Sequence, residues 1–144
     1  MRFERHDGGR AAAGFKGDAP GGCVCRSIAI ATRLPYREVY DGLNGLAWRE
    51  RPRGWRRSHA KHGVFRVTYE RYLRGLGWEF TPTMSIGSGC RVHLRDGELP
   101  AEGALVVRLS NHLTAVVDGV IFDLYDPSRG GTRCVYGYYR KIHP

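Results

Sequence analysis

The segment NHLTAVVDGVIFDLYDP, residues 111–127, constrains the fold of this chain more than any other. Its two halves, LTAVV and VIFDLY, are rich in the β-branched and aromatic residues that favour strands. Asp118-Gly119 stands between them, and this dipeptide is the strongest short-range signal for a two-residue hairpin turn. With that turn, residue 117 pairs with 120 and residue 112 with 125. The segment therefore predicts an antiparallel hairpin whose second strand returns beside His112.

The rest of the chain reads as helices followed by strands. Val24, Ile28 and Ala31 recur at helical spacing and predict a first helix over 23–33. Two further helices are predicted at YREVYDGL and at YERYLRGL, the latter with Thr68 as its N-cap. Extended segments then dominate: WEFTPTM, CRVHL, ALVVRL, the hairpin and CVYGYYRKI. This order predicts an α+β domain, with N-terminal helices packed on a C-terminal four- or five-stranded antiparallel sheet.

The length of 144 residues predicts a single domain over 1–144. Residues 1–14 are polar and glycine-rich, so we expect a flexible arm there, and 44–63 lacks periodicity and predicts a long basic loop. No apolar run approaches the roughly 18 residues of a membrane span. The N-terminus opens with charges rather than a signal core. We therefore expect a cytoplasmic protein with no membrane partner, whose four cysteines are thiols.

The sharpest arrangement of reactive residue types joins a helix start to the hairpin. Cys23 directly follows two glycines, and a helix N-terminus stabilises a thiolate through its free amides and its dipole. His112 opens the hairpin and Asp126 follows its second strand. A carboxylate that accepts the imidazole N–H fixes the ring tautomer and supports the imidazolium. Asp126 is the predicted partner of His112, and Asp123 is the alternative, because strict alternation puts it diagonally on the same face.

A cysteine at a helix start, a histidine-led hairpin about 90 residues later and an Asp-Pro after the next strand resemble the papain-like cysteine peptidases. In order and compactness the chain is most similar to bacteriocin-leader-processing peptidases and related bacterial effector proteases. The tail also resembles a set of uncharacterised bacterial and phage proteins. The resemblance covers roughly residues 15–140. It implies a papain-like fold, hydrolysis of a peptide or isopeptide amide in a peptide or protein substrate, and no cofactor. The implied triad is Cys23 as nucleophile, His112 as general base and acid, and Asp126 as the orienting residue.

The chain departs from this family in one respect. The family usually supplies an oxyanion-hole Gln about half a dozen residues before the cysteine, and here that stretch is FKGDAPGG. The backbone N–H of Cys23 can donate to an oxyanion, but the sequence identifies no second donor. A metal site is not expected, because Cys23 and Cys25 form C-x-C rather than C-x-x-C, and Cys90 and His93 point to opposite faces of a strand.

Two other functions stay open at this point. A transglutaminase or deamidase would use the same triad with a different acyl acceptor. A nucleic-acid-binding module would use the Arg/Trp-rich loop 48–61, where Trp48 and Trp55 interleave with arginines. The formal net charge of +9 favours an acidic or nucleic-acid partner at that loop.

Overall fold

The computed structural model describes residues 1–19, 21–52, 54 and 56–142. Within these ranges three helices and six strands form an α+β fold, as the sequence predicted. The helices are α1 (Cys23–Thr32), α2 (Tyr36–Arg49) and α3 (Arg66–Gly75). The strands are β1 (Arg2–Arg5), β2 (Trp78–Pro82), β3 (Ala104–Leu109), β4 (His112–Val117), β5 (Val120–Asp123) and β6 (Gly137–Lys141). No helix in the described ranges combines the length and the apolar composition that crossing a membrane requires.

The strands form one sheet in the order β1-β5-β4-β3-β6-β2. Strand β1 runs parallel to β5, and every other neighbouring pair is antiparallel. The predicted four- or five-stranded antiparallel sheet is therefore wrong in strand number and in the direction of one edge strand. The cause is the N-terminal segment RFER, whose polar residues gave no strand signal although its backbone pairs with β5.

The two faces of the sheet are covered by separate apolar clusters. Helices α1, α2 and α3 pack on one face, where Ile28 and Leu73 are fully buried. The segment around Leu94 covers the other face. Strand β3 shows the alternation, since Val106 belongs to the helical side and Val107 to the opposite side. Strand β4 is thus an interior strand against which α1 packs.

The hairpin turn is confirmed. Val117 pairs with Val120, and both turn residues lie in the left-handed region, with φ of 48° at Asp118 and 79° at Gly119. Two positive φ values in succession characterise the type I′ turn, whose twist matches that of the flanking strands. Strand β5 ends at Asp123, so the ladder stops before it reaches the expected partner of His112 at position 125.

The expected flexible arm over 1–14 is instead part of the fold. Beyond β1, the side chain of Arg10 is buried and anchors the following turns. Its guanidinium donates to the carbonyls of Lys16 and Gly17 and, at 3.0 Å, to the hydroxyl of Tyr36 on α2. An arginine has five N–H donors, and hydrogen bonds to several acceptors offset the cost of burying it. The composition of residues 1–14 does not reveal these acceptors, so the segment appeared flexible.

The expected long basic loop over 44–63 is shorter than predicted, because α2 continues to Arg49. Helix α3 also begins earlier than predicted, at Arg66, with Phe65 rather than Thr68 at the N-cap. Thr68 is buried, and its hydroxyl lies 2.7 Å from that of Ser58, which ties the loop to α3. Arg53 and Trp55 of this loop lie outside the described residues.

Cys90 and Cys134 form a disulfide, with their Cα atoms 5.8 Å apart, so the expectation of four thiols is wrong for this pair. The predicted strand CRVHL is reduced to an isolated bridge between His93 and Cys134, which brings the two segments together. Disulfides persist in oxidising environments. The cytoplasmic location therefore stays a prediction.

Candidate active site

Cys23 is the first residue of α1, and its thiol is partly exposed. The first intrahelical hydrogen bond runs from the Arg26 N–H to the Gly22 carbonyl, and no side chain caps the helix. The amides of the first turn, including that of Cys23, therefore have no partner within the helix, and they create a positive end at the sulfur. This is the local setting that the sequence predicted for Cys23.

Gly21 allows a close approach of two backbone segments beside Cys23. A Cβ at this position would lie 2.3 Å from the backbone carbonyl group of His62. Only a glycine lets the loop that carries His62 pass so close to the start of α1. The loop therefore forms one wall beside Cys23.

His112 is the first residue of β4, and the packing of α1 on this strand brings its ring to Cys23. The Nε2 atom of His112 lies 2.7 Å from Oδ2 of Asp123. The thiol of Cys23 forms a hydrogen bond with the same ring, and the backbone of Leu113 supplies a further hydrogen bond to the sulfur. One imidazole thus bridges a sulfur and a carboxylate.

Asp126, the predicted partner of His112, is not the residue that contacts the ring. It is exposed, and its carboxylate accepts a hydrogen bond from the Ser128 N–H, which makes it a turn residue. Asp123, the alternative, is the buried partner. The strand register explains why Asp123 rather than Asp126 is the partner. Ala115 pairs with Phe122, so Asp123 lies opposite residue 114 and diagonal to His112 on the same face of the sheet.

The surroundings of Asp123 contain a residue that the sequence analysis missed. Arg26 lies one turn beyond Cys23 on α1 and is buried, and its guanidinium is 3.3 Å from Oδ1 of Asp123. The carboxylate also accepts hydrogen bonds of 2.7 Å from the Thr114 hydroxyl and from the Leu124 N–H. A buried charge held by so many donors is fixed in position. The i, i+3 spacing of Cys23 and Arg26 is the one sequence signal that could have indicated this arginine.

These contacts shift the pKa values of all three groups. Burial raises the pKa of Cys23, but the hydrogen bond and the positive charge of His112 outweigh it, and the net pKa is lowered. Burial lowers the pKa of His112, but the hydrogen bonds to Asp123 and Cys23 raise it to about 9. Burial raises the pKa of Asp123, but the hydrogen bond from His112 outweighs it and the net pKa is lowered. Each shift favours a thiolate, an imidazolium and a carboxylate side by side.

The other free cysteine has the opposite setting. Cys25 is fully buried, and burial raises its pKa to about 12. Its thiol points to the backbone carbonyl of Tyr36 at 3.8 Å, away from the ring of His112. Cys25 therefore belongs to the hydrophobic core and not to the site.

A cleft of about 680 Å³ opens at the sulfur. Its walls are the start of α1, the loop before α3, the first turn of α3 and the β3–β4 turn. The lining includes Cys23, His112, Arg56, Arg66, Arg108 and Asn111. No group of three or more histidine, cysteine or acidic side chains in the described residues is placed to hold a metal ion.

An exposed tryptophan near the end of α2 stacks with an arginine of the loop that follows. Trp48 is 76% exposed, and the guanidinium of Arg57 lies 4.8 Å from the centre of its ring. Arg57 also donates to the carbonyls of Ala47 and Glu50, so the stack is anchored to the end of α2.

Comparison with known proteins adds no relative: no family model, no curated protein and no solved structure matches this chain.

Proposed function

We propose that this protein is a thiol hydrolase, a cysteine peptidase that cleaves a peptide or isopeptide amide through Cys23, His112 and Asp123. The observation that carries the proposal is the continuous chain of hydrogen bonds from the sulfur to the imidazole and on to a buried carboxylate. Such a chain, beside a cleft and at a helix N-terminus, is the arrangement that activates a nucleophilic thiol. A helix that begins with the cysteine and packs on the strand that begins with the histidine also supports the papain-like fold that the resemblance implies.

In the proposed reaction the Cys23 thiolate attacks the carbonyl carbon of the substrate amide, and its electrons form the C–S bond while the carbonyl oxygen becomes an oxyanion. The backbone N–H of Cys23 donates to that oxyanion. His112 then gives its proton to the amide nitrogen, the C–N bond breaks, and the amine leaves. A water molecule attacks the thioester and gives a proton to His112, and the C–S bond breaks to return the thiolate. Asp123 stays ionised and orients the ring throughout.

An acyl transferase would follow the same steps up to the thioester. In that case an amine rather than water would attack the thioester, whereas deamidation would use a side-chain amide with water. Mass spectrometry of the products distinguishes these outcomes, because hydrolysis of a backbone amide yields two shorter peptides.

The test of the nucleophile is limited alkylation with iodoacetamide near pH 6, where an ordinary thiol is almost wholly protonated. Peptide mapping should find Cys23 labelled first. Replacement of His112 by Ala should slow that labelling at least tenfold, because the imidazolium that favours the thiolate is gone. Cys25 is the internal control, since its raised pKa predicts almost no labelling in the folded protein. Preferential labelling of Cys25, or no effect of His112→Ala, would remove the proposed nucleophile.

The test of the reaction is incubation with a mixture of tryptic peptides, followed by mass spectrometry. We expect new termini with the wild-type protein and none with the Cys23→Ser variant, whose hydroxyl is not ionised by the same contacts. Termini that persist in Cys23→Ser would exclude this residue as the nucleophile.

A second candidate, binding of single-stranded nucleic acid, is supported by the exposed Trp48 stacked with Arg57. Binding through several phosphates weakens steeply with salt. A labelled oligothymidine titrated at two salt concentrations tests this candidate, and Trp48→Ala should weaken binding if bases stack on the ring.

A further inference from the structure

Three arginines from three separate parts of the chain line the cleft at Cys23. Arg56 comes from the loop after α2, Arg66 begins α3, and Arg108 lies on β3. The described lining contains no aspartate or glutamate. The space beside the sulfur is therefore a cleft of positive potential, where charge acts more strongly than on an open surface.

The three guanidinium groups differ in how far they are neutralised. Arg66 donates to Glu70 over 2.9 Å and so has a carboxylate of its own. For Arg56 and Arg108, no carboxylate among the described residues lies within ion-pair distance. Both lie against aromatic rings instead, Arg56 at 5.9 Å from the ring centre of Phe65 and Arg108 at 5.6 Å from that of Tyr136. A ring contact holds a guanidinium in place without cancelling its charge, so these two arginines retain donors for a ligand.

A neighbouring groove of about 630 Å³ lies next to this cleft. The two cavities share Arg56, Gly63, Val64 and Phe65 in their walls, so they lie side by side, and we refer to them together as the channel. Trp48 and Arg57 line the groove but not the cleft. The cleft and the groove together have room for several residues of an extended chain, which a single small acid would not fill.

We propose that this channel selects acidic peptide segments: Arg56 and Arg108 bind aspartate or glutamate side chains within a few residues of the amide that Cys23 attacks. This specificity rests on the proposed function. A peptide fits the site better than a nucleic acid because the arginines converge on a sulfur poised for an acyl group, and phosphodiesters offer none.

The experiment uses the Cys23→Ser protein, which should bind without turnover, and fluorescence anisotropy. The probes are a fluorescein-labelled decapeptide of alternating Glu and Ala and its twin of alternating Gln and Ala. At about 50 mM salt, where charge is weakly screened, we expect the Glu peptide to bind about tenfold more tightly than the Gln peptide. Adding Arg56→Ala and Arg108→Ala should reduce that ratio to less than about threefold.

A matched control removes two positive charges elsewhere. Arg91 and Lys141 are exposed and lie outside the channel. Their replacement by Ala changes the net charge equally and should keep the ratio near tenfold. An equal loss in this control would show that the whole basic surface, not the channel, binds the peptide, and would overturn the proposal.

The remaining outcomes separate the two proposals. Equal binding of the two peptides, with Cys23 of the wild type still labelled first by iodoacetamide, would refute the specificity and leave the thiol hydrolase standing. Preference for the Glu peptide through Arg56 and Arg108, with no cleavage of any peptide by the wild type, would establish the acidic ligand and refute the hydrolase. A twelve-nucleotide oligothymidine that displaces the Glu peptide and binds more tightly through the same two arginines would assign the channel to nucleic acid and overturn the proposal.

Discussion

Replacement of Asp123 by Asn tests the site at its least exposed member. The carboxylate accepts hydrogen bonds from four groups: His112, Thr114, Arg26 and the Leu124 N–H. Asn retains the size and one acceptor oxygen but turns the other oxygen into an NH2 group. At the position of Oδ2 that group would face two donors, the ring of His112 and the hydroxyl of Thr114, and Arg26 would lose its buried counter-charge.

The magnitudes follow from these contacts. Removing one partner of a buried ion pair costs about 3 kcal/mol or more, so we expect the free energy of unfolding to fall by about 3 kcal/mol. With the carboxylate gone, the pKa of His112 should drop from about 9, and the Cys23 thiolate should lose its imidazolium partner. Loss of the orienting carboxylate lowers kcat about 10⁴-fold in a Ser-His-Asp triad, and we expect a loss of that order here. Labelling of Cys23 near pH 6 should slow in parallel.

The control is Asp126→Asn. Asp126 is exposed, and an Asn oxygen can still accept from the Ser128 N–H, so stability should change by about 0.5 kcal/mol or less. Urea unfolding followed by circular dichroism shows whether each variant is folded before labelling is measured. A folded Asp123→Asn protein that labels as fast as the wild type, or an equal loss in Asp126→Asn, would refute the reasoning.

If Asp123→Asn does not fold, Thr114→Val gives the same test with a smaller perturbation. It removes one hydrogen bond from the carboxylate and should cost about 1–3 kcal/mol. We expect slower labelling of Cys23 from this variant, because Asp123 is held less firmly against His112. An unchanged labelling rate in the folded variant would count against the role of Asp123.

Three further predictions concern pH, packing and the disulfide. Hydrolysis needs the Cys23 thiolate and protonated His112, so its rate should rise as pH increases through the lowered pKa of the thiol and fall as pH passes about 9. Alkylation needs only the thiolate, so its rate should stay high above pH 9. A parallel fall of both rates above pH 9 would contradict this prediction. Gly21→Ala should destabilise the protein and slow the labelling of Cys23, because the added Cβ would lie 2.3 Å from the backbone of the neighbouring loop. The control is Gly45→Ala on α2, where the added Cβ has no atom within 4 Å. This variant should leave the labelling unchanged and, in urea unfolding, stabilise the helix by up to about 1 kcal/mol. Reduction of the disulfide, which spans 44 positions, should lower the free energy of unfolding by about 2–4 kcal/mol. It should leave the labelling rate of Cys23 unchanged. An altered labelling rate would show that the disulfide and the candidate active site are coupled.

Features that depend on neighbouring residues could be predicted from the sequence. The position of Cys23 at a helix start follows from two glycines and a regular apolar spacing, and the type I′ turn follows from Asp118-Gly119. In both cases the physical cause lies within a few positions of the feature.

The partners in a distant pair could not be predicted, even where a local spacing could have indicated one member, as for Arg26. Arg26 finds Asp123 across 97 positions, and the disulfide joins segments 44 apart. The parallel pairing of Arg2–Arg5 with β5 likewise joins the two ends of the chain. Composition and periodicity carry no information on such pairs, since each depends on how the sheet is assembled.

The choice between Asp126 and Asp123 lies between these two classes. The predicted hairpin register places residue 125 opposite His112, and Asp126 is the next residue in the chain. Asp126 nevertheless lies beyond the hydrogen-bonded strand pair. Strand β5 ends at Asp123, and the turn beyond it fixes Asp126 through Ser128. On a pleated sheet a diagonal neighbour two positions away shares the face of a residue, and the reach of an imidazole is enough to contact it. The burial of Asp123 is the second reason why it is the partner of His112. A buried carboxylate must keep its hydrogen-bond donors in place, because water cannot replace them. The ring of His112 is one of these donors, so Asp123 holds it toward Cys23 before any substrate binds.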